Sequence, residues 1–383
     1  MLSWLLRSLP RLPLGRTWKP LNFSNPNFGR ISASQKVEEE TLPGYIASRY
    51  CPTRIGEIIK DRYQVIGKLG YGTTSTVWLA RDMNCRSYVT LKIFIKAASM
   101  GHQLDNELKM YQRLDRASKH PGRRAIRSLL DSFHIDRPGD NHQCLVHPPL
   151  FESVWEFLHR NPVQRLPKPV LAFTLRRVFL ALDYLHTEYQ IIHTDIKTNN
   201  IMFELADDSV FIKSEDDELQ NPSPRKELDG RAIYLSRELE ILPGKIGSPV
   251  LCDFGSATLG SIEHSEDVQP DIYRAPEVIP EIWNMFEGGS LFTGHDPEFK
   301  AYRSRAHLAE MINLLGPPPP SLLARGKQTQ RFFSDTGEFQ TTLEGEDKEG
   351  FLRMMRRMLQ WEPEKRSSAK ELAEDEWICR QIN

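Results

Sequence analysis

The sequence predicts an α+β fold of two unlike lobes, a small β-rich one over residues 46–146 and a larger, mainly helical one over 147–383. Two observations predict it. Runs rich in β-branched and apolar residues, broken by turn residues, crowd the first part of the chain. Apolar stripes at helical spacing dominate the rest. Strands first and helices after favour segregated lobes over one alternating sheet.

Taken in order, residues 1–45 form a basic leader. Up to Val37 it has no Asp or Glu, whereas Arg7, Arg11, Arg16, Lys19, Arg30 and Lys36 are all basic. Leu2, Leu5, Leu6 and Leu9 can line one face of a short helix before Pro10. Arg-rich, acid-free and amphipathic is the composition of a mitochondrial transit peptide, and a disordered basic segment broken by prolines is the other reading. "RYQVIGKLGYGTTSTVWLARD" (62–82) reads as a β-hairpin around a Gly-x-Gly turn, followed by a strand at "SYVTLKIFI". Gly70 and Gly72, with Thr and Ser around them, leave backbone N–H groups to face an anion. "DNELKMYQRL" (105–114) starts on an N-cap candidate and carries Leu104, Leu108, Tyr111 and Leu114 at helical spacing, with Glu107 beside that stripe.

Residues 169–188 form the clearest helix, because Leu171, Leu175, Val178, Leu182 and Leu185 step by four and three. It leads into "IIHTDIKTNN" (191–200), where two Ile precede a dense polar cluster. A polar, Pro-containing stretch at 204–249 reads as a partly disordered insert of the larger lobe. Further helices are expected at 305–316, 351–359 and 370–377. Their Met and Leu stripes are core.

The formal charge of −1 gives no drive toward nucleic acid or membrane. No apolar run reaches the ~18 residues of a membrane span. Five scattered cysteines without CxxC spacing argue against a disulfide framework or structural zinc, and for a reducing compartment. Cytoplasm or nucleus is expected, or the mitochondrion if the leader is a targeting signal.

The chemistry-bearing motifs come in a definite order: Gly70-x-Gly72-x-x-Ser75-x-Val77, Lys92 in "VTLKIF", Glu107, "HTDIKTNN", "LCDFGSA" (251–257) and "YRAPEV" (273–278). Each alone has a bland alternative; together they match the ordered signature of a protein kinase. From about Tyr50 onward the chain resembles that family. "IGEII", "LGYGTTSTVWLARD", "HTDIK", "LFTGHDPE", "HLAEMINLLGPPP" and "GRAIYLS" are similar to the SR-protein kinases, particularly their fungal-type relatives.

The resemblance implies a bilobal protein kinase fold holding ATP and Mg²⁺ between the lobes, and γ-phosphoryl transfer to Ser in Arg-Ser-rich splicing factors. Lys92 would contact the α- and β-phosphates and pair with Glu107. Leu69, Gly70, Gly72, Ser75 and Val77 would border the nucleotide. Asp253 and Asn200 would be the metal ligands. Asp195 would accept the substrate hydroxyl's proton, Lys197 would steady the γ-phosphate, and His193 would pack near Phe254. The partner is a protein substrate, with no direct nucleic-acid binding, and a monomer is expected.

Three departures from the family pattern stand out. Ser75 stands where many kinases have a third glycine, which SR-protein kinases also lack. Thr194 replaces an arginine that elsewhere pairs with an activation-loop phosphate, which predicts activity without such phosphorylation. After "YRAPEVI" the chain jumps to "PEIWNMFEGGSLFTGHD", so the central helix of the larger lobe reads as truncated, and Glu281 is a poor replacement for the Asp it would carry. Glu277 and Arg366 match a pair that props the substrate segment. Two alternatives remain: a nucleotide- or partner-binding pseudokinase, and a kinase of the same superclass with other substrates.

Overall fold

The computed structural model describes residues 17–96, 102–114, 118–137, 140–160, 165–240, 244–260, 295–296, 301–302, 310, 345–358, 360 and 365–382. The chain divides into two compact units. One gathers Met1–Asp115, Arg127–Phe151 and Glu204–Gly247; the other gathers Arg116–Ile126, Glu152–Phe203 and Ser248–Asn383.

The first unit is built on a six-stranded antiparallel sheet of order β1-β2-β3-β4-β6-β5. Its strands are β1 (Ile58–Ile59), β2 (Tyr63–Tyr71), β3 (Ser75–Asp82), β4 (Ser87–Phe94), β5 (Asp131–Arg137) and β6 (Asp140–His147). Helix α1 (His102–Leu114) follows β4, starting three residues before the expected Asp105. The period-2 alternation sorts the strands' residues into two faces. Tyr63, Val65, Trp78, Ala80, Val89, Leu91, Ile93, Cys144 and Val146 share one core cluster. Leu79 and Tyr88, with Ile66 shifted by the bulge after Val65, belong to the other.

That second face is closed by chain from far away in sequence. Trp18 and Phe23 of the leader and Phe211 of α4 (Ser209–Gln220) pack on Ile66, Leu79 and Tyr88. Arg81 stacks 4.4 Å over the Trp18 ring, and Gln64 exchanges hydrogen bonds with both the N–H (2.9 Å) and the carbonyl (2.8 Å) of Leu21. A hairpin of β9 (Arg225–Leu228) and β10 (Arg231–Tyr234) sends Tyr234 against Trp78, edge to face at 5.9 Å. The expectation of a disordered leader and a partly disordered insert in the larger lobe is therefore corrected for the described residues. From residue 17 the leader is packed, and 204–247 belongs to the first unit.

The cause is a charge network that composition alone does not reveal. Lys68 on β2 is 1% exposed and pairs with Glu39 and, at 3.4 Å, with Glu38. Its Nζ also donates to the Tyr234 carbonyl (3.2 Å). Lys226 on β9 is equally enclosed, paired with Glu40 at 2.7 Å and donating to the Gln35 carbonyl at 2.8 Å. Glu38 accepts from the Ser236 N–H (2.9 Å) and hydroxyl (2.7 Å). A buried ammonium needs such partners, so the Glu38-Glu39-Glu40 run acts as a clasp joining leader, sheet and insert. Residues 1–16, which carry most of the transit-peptide reading, lie outside the described residues.

In the second unit α2 (Val154–Arg160) precedes the central element, α3 (Lys168–Tyr184), in which Leu171, Leu175, Val178, Phe179 and Leu182 are buried. It continues as one wider π-type turn, Leu185–Tyr189, which ends on Gln190 in left-handed backbone (φ 53°). Periodicity predicts this stretch as regular helix; the turn is where the chain reverses into the polar motif. Near the C-terminus α5 (Gly345–Met358), α6 (Ala369–Ala373) and α7 (Glu376–Ile382) form; α6 and α7 pack on α3, and Phe351 of α5 meets Trp377 at 5.1 Å. Ser368 and Glu371 cap α6 reciprocally. The readings at 273–278, at Glu281, at the truncated central helix and at 305–316 fall outside the described residues, apart from Glu310.

Candidate active site

In the second unit the motif loop hangs between two short ladders. β7 (Ile191–Ile192) pairs antiparallel with β12 (Thr258–Leu259), and the Gly260 N–H closes onto the Gln190 carbonyl at 2.7 Å. Beyond the loop, β8 (Ile201–Leu205) pairs with β11 (Ile246–Leu251). The Cys252 N–H donates to the Asn200 carbonyl at 2.8 Å, which sets Asp253 one residue from the loop's end. Ile191 is buried and anchors the loop, as an apolar pair before a polar run should.

Within the loop, two polar side chains converge on Asp195. Lys197 Nζ pairs with Asp195 Oδ2 at 2.7 Å. Asn200 Nδ2 donates to Asp195 Oδ2 at 2.9 Å and to its carbonyl at 2.8 Å. One carboxylate thus collects an ammonium and an amide, which fixes its direction. With the Asn200 amide nitrogen so engaged, its oxygen is the atom presented as a ligand.

His193 lies beneath, 1% exposed and edge-on to Phe254 at 5.1 Å. The Asp195 N–H donates to its Nδ1 (3.3 Å), so Nε2 carries the proton and donates to the Cys252 carbonyl at 3.0 Å. Burial holds this imidazole below its ordinary pKa, consistent with the neutral tautomer the bonds require. Thr194 and Asp253 both adopt left-handed backbone, at φ 63° and 65°. For a β-branched residue this conformation is strained. The Thr194 hydroxyl offsets the strain by donating to the Ser256 carbonyl at 2.6 Å.

In the first unit, strand register puts Lys92 opposite Val77 on one side and Leu145 on the other. Its Nζ lies 2.9 and 2.7 Å from the two Glu107 carboxylate oxygens, and Glu107 is 3% exposed. Gly70 pairs with Val77 past a second bulge, Leu69 is partly buried and Ser75 is buried. The glycine turn differs from expectation in one respect. The Gly72 N–H is occupied by the Ser75 carbonyl at 2.8 Å, so it does not face an anion in this conformation. Arg366 donates to the Gln360 carbonyl (2.9 Å); its expected partner Glu277 lies outside the described residues.

Lys92 and Glu107 are thus brought together in one unit, and Asp195, Lys197, Asn200 and Asp253 in the other. Missed from the sequence were the Thr194–Ser256 bond, the Asp195–Asn200 amide contact and Tyr50, whose hydroxyl reaches the Gly72 carbonyl at 3.1 Å. Among the described residues no three His, Cys, Asp or Glu side chains converge as a metal cage. One or two protein oxygens, supplemented by phosphate oxygens, is the donor set Mg²⁺ takes with a nucleotide, and Asn200 and Asp253 fit it.

The model of the protein kinase domain matches residues 63–239. A serine/threonine protein kinase of Aspergillus fumigatus is 36% identical, over 93% of this chain and 94% of its own length. The serine/threonine-protein kinase SRPK of Physarum polycephalum is 28% identical over 89% and 92% of the two chains. A crystal structure of a kinase domain shares the fold, with a TM-score of 0.61 at 20% identity, covering 86% of this chain and 99% of that one. The fold is the bilobal protein kinase fold, β-rich in its smaller lobe. The chain belongs to the protein kinase family, among serine/threonine kinases similar to SRPK.

Proposed function

We propose that this chain uses ATP and Mg²⁺ to transfer the γ-phosphoryl group to serines of Arg-Ser-rich proteins. The observation that carries the reading is the Lys197–Asp195–Asn200 cluster, a carboxylate aimed by an ammonium at 2.7 Å and an amide at 2.9 Å. Phosphoryl transfer is positioning and charge stabilisation, and these residues supply both. Asp195 orients the serine hydroxyl and takes its proton as the phosphoryl group moves. Lys197, sharing that carboxylate, faces the charge that spreads over the transferring group. Lys92, held by Glu107, contacts the α- and β-phosphates; Leu69, Gly70, Gly72, Ser75 and Val77 border the nucleotide. Asn200 and Asp253 would hold Mg²⁺, whose charge would offset that of the phosphates. A pseudokinase reading lacks support, because no residue of this set is replaced.

The substrate class rests on the similarity to the SRPK relative and on the resemblance of this chain's motifs to those of the SR-protein kinases. The test is transfer from Mg-ATP to an Arg-Ser repeat peptide, beside an Asp195→Asn control. Transfer at least ~100-fold above the control is expected, the scale of lost acid–base assistance. Nucleotide binding without transfer selects the binding module, and transfer only to basic peptides lacking Arg-Ser repeats selects a different substrate class.

A further inference from the structure

The glycine-rich turn is held by a residue outside the strands that form it. Tyr50 is 5% exposed, and its hydroxyl lies 3.1 Å from the Gly72 carbonyl and 3.3 Å from the Thr73 carbonyl. A phenol has one proton, so the two carbonyls share it in a forked bond at the tip of the turn. Burial raises the Tyr50 pKa, which keeps that proton in place. Tyr50 is itself clamped. The Arg231 guanidinium of β10 donates to its carbonyl at 2.5 Å, and the Lys96 N–H, just beyond β4, donates to the carbonyl of Arg49 at 2.9 Å. The Tyr45 ring packs on it at 5.2 Å.

The peptide unit is planar and trans, so a carbonyl and the N–H that follows it point opposite ways. Drawing the Gly72 and Thr73 carbonyls toward Tyr50 therefore directs the N–H groups of Thr73 and Thr74 to the other side of the turn. Two successive N–H groups turned together are what an anion-cradling turn requires. The base of the same turn is braced as well, by the Arg237 N–H on the Lys68 carbonyl at 2.8 Å.

We propose that Tyr50 is a positioning residue for nucleotide binding, its hydroxyl presetting the tip of the glycine-rich turn while Arg231 of the insert holds Tyr50 in place. The inference rests on the reading of this turn as the one that covers ATP phosphates, and it adds a route by which the 204–247 insert acts on that turn. Tyr50→Phe removes one hydroxyl and keeps the ring, so the fold is retained; Arg231→Ala loosens the clamp from the insert side.

Two measurements decide it. Without nucleotide, amide hydrogen exchange at residues 72–75 should speed by about threefold or more in Tyr50→Phe and in Arg231→Ala. With Mg-ATP, KM for ATP should rise about fivefold, the loss expected for one hydrogen bond, while KM for the peptide stays at the wild-type value and Tm falls by no more than about 4 °C. The double variant should be no worse than Tyr50→Phe alone. Wild-type exchange together with wild-type KM for ATP in Tyr50→Phe overturns the proposal. Absence of ATP-dependent protection over residues 69–77 in the wild type would instead remove the nucleotide reading, and the nucleotide-free exchange would still decide whether Tyr50 holds the turn.

Discussion

His193 links the acidity of the medium to the catalytic loop. Its neutral ring accepts from the Asp195 N–H and donates to the Cys252 carbonyl, and burial depresses its pKa below the ordinary 6.5. Above 6.5 neither folded nor unfolded chain protonates it, so the full stability is present. As pH falls below 6.5, the unfolded chain takes up a proton that the folded chain refuses, and stability declines until the lowered folded value is reached. Buried His142 is shifted the same way and adds to the decline. Chemical denaturation at pH 7.5 and 5.5 should show this loss, and His193→Gln should make it smaller. The key residues at this scale were legible because Lys92, Asp195, Asn200 and Asp253 sit in short motifs whose order is informative. Tyr50 and Lys68 were not legible. Their partners lie 22 and 29 residues away or further, and nothing local marks a Tyr or Lys as buried.

Among the elements, α3 tolerates least at one glycine that does not belong to it. In the turn Pro121–Ala125, Gly122 lies so close to α3 that an added Cβ would stand 1.8 Å from the Leu180 carbonyl oxygen and 2.7 Å from Tyr184 Cβ. Helix backbone cannot yield as a flexible side chain does. Gly122→Ala should therefore cost about 3 kcal/mol, the upper end of overpacking penalties, seen as a lower denaturant midpoint with an unchanged slope. The His120 ring, bonded to Asp183 at 3.1 Å and stacked on Tyr184, shows how closely this turn follows the helix. Periodicity gave the buried stripe of α3 correctly, since burial decides it. It missed the π-type turn that follows, because a single extra residue per turn leaves the apolar spacing almost unchanged.

For the whole molecule, the leader from residue 17 on and the described part of the insert count as parts of the smaller lobe rather than appendages. Removing residues 17–45 takes away Glu39 and Glu40, the partners of Lys68 and Lys226, and leaves two buried ammonium groups uncompensated. Breaking one buried pair costs about 3–5 kcal/mol, so the truncated chain should lose cooperative thermal unfolding of the smaller lobe. Lys68→Met in that background should recover part of the loss. Composition misread both segments: polar, Pro-containing stretches look unable to fold alone, and here each folds by using a sheet supplied elsewhere.

The first lobe is assembled from three separated runs of chain, the last ending at Gly247. During synthesis, then, the sheet is complete at His147, about sixty residues before Phe211 of α4 emerges from the ribosome. At about 5–20 residues per second, Ile66, Leu79 and Tyr88 lack the Phe211 part of their cover for several seconds. That interval is a window for chaperone capture or for aggregation, and it ends only when α4 arrives.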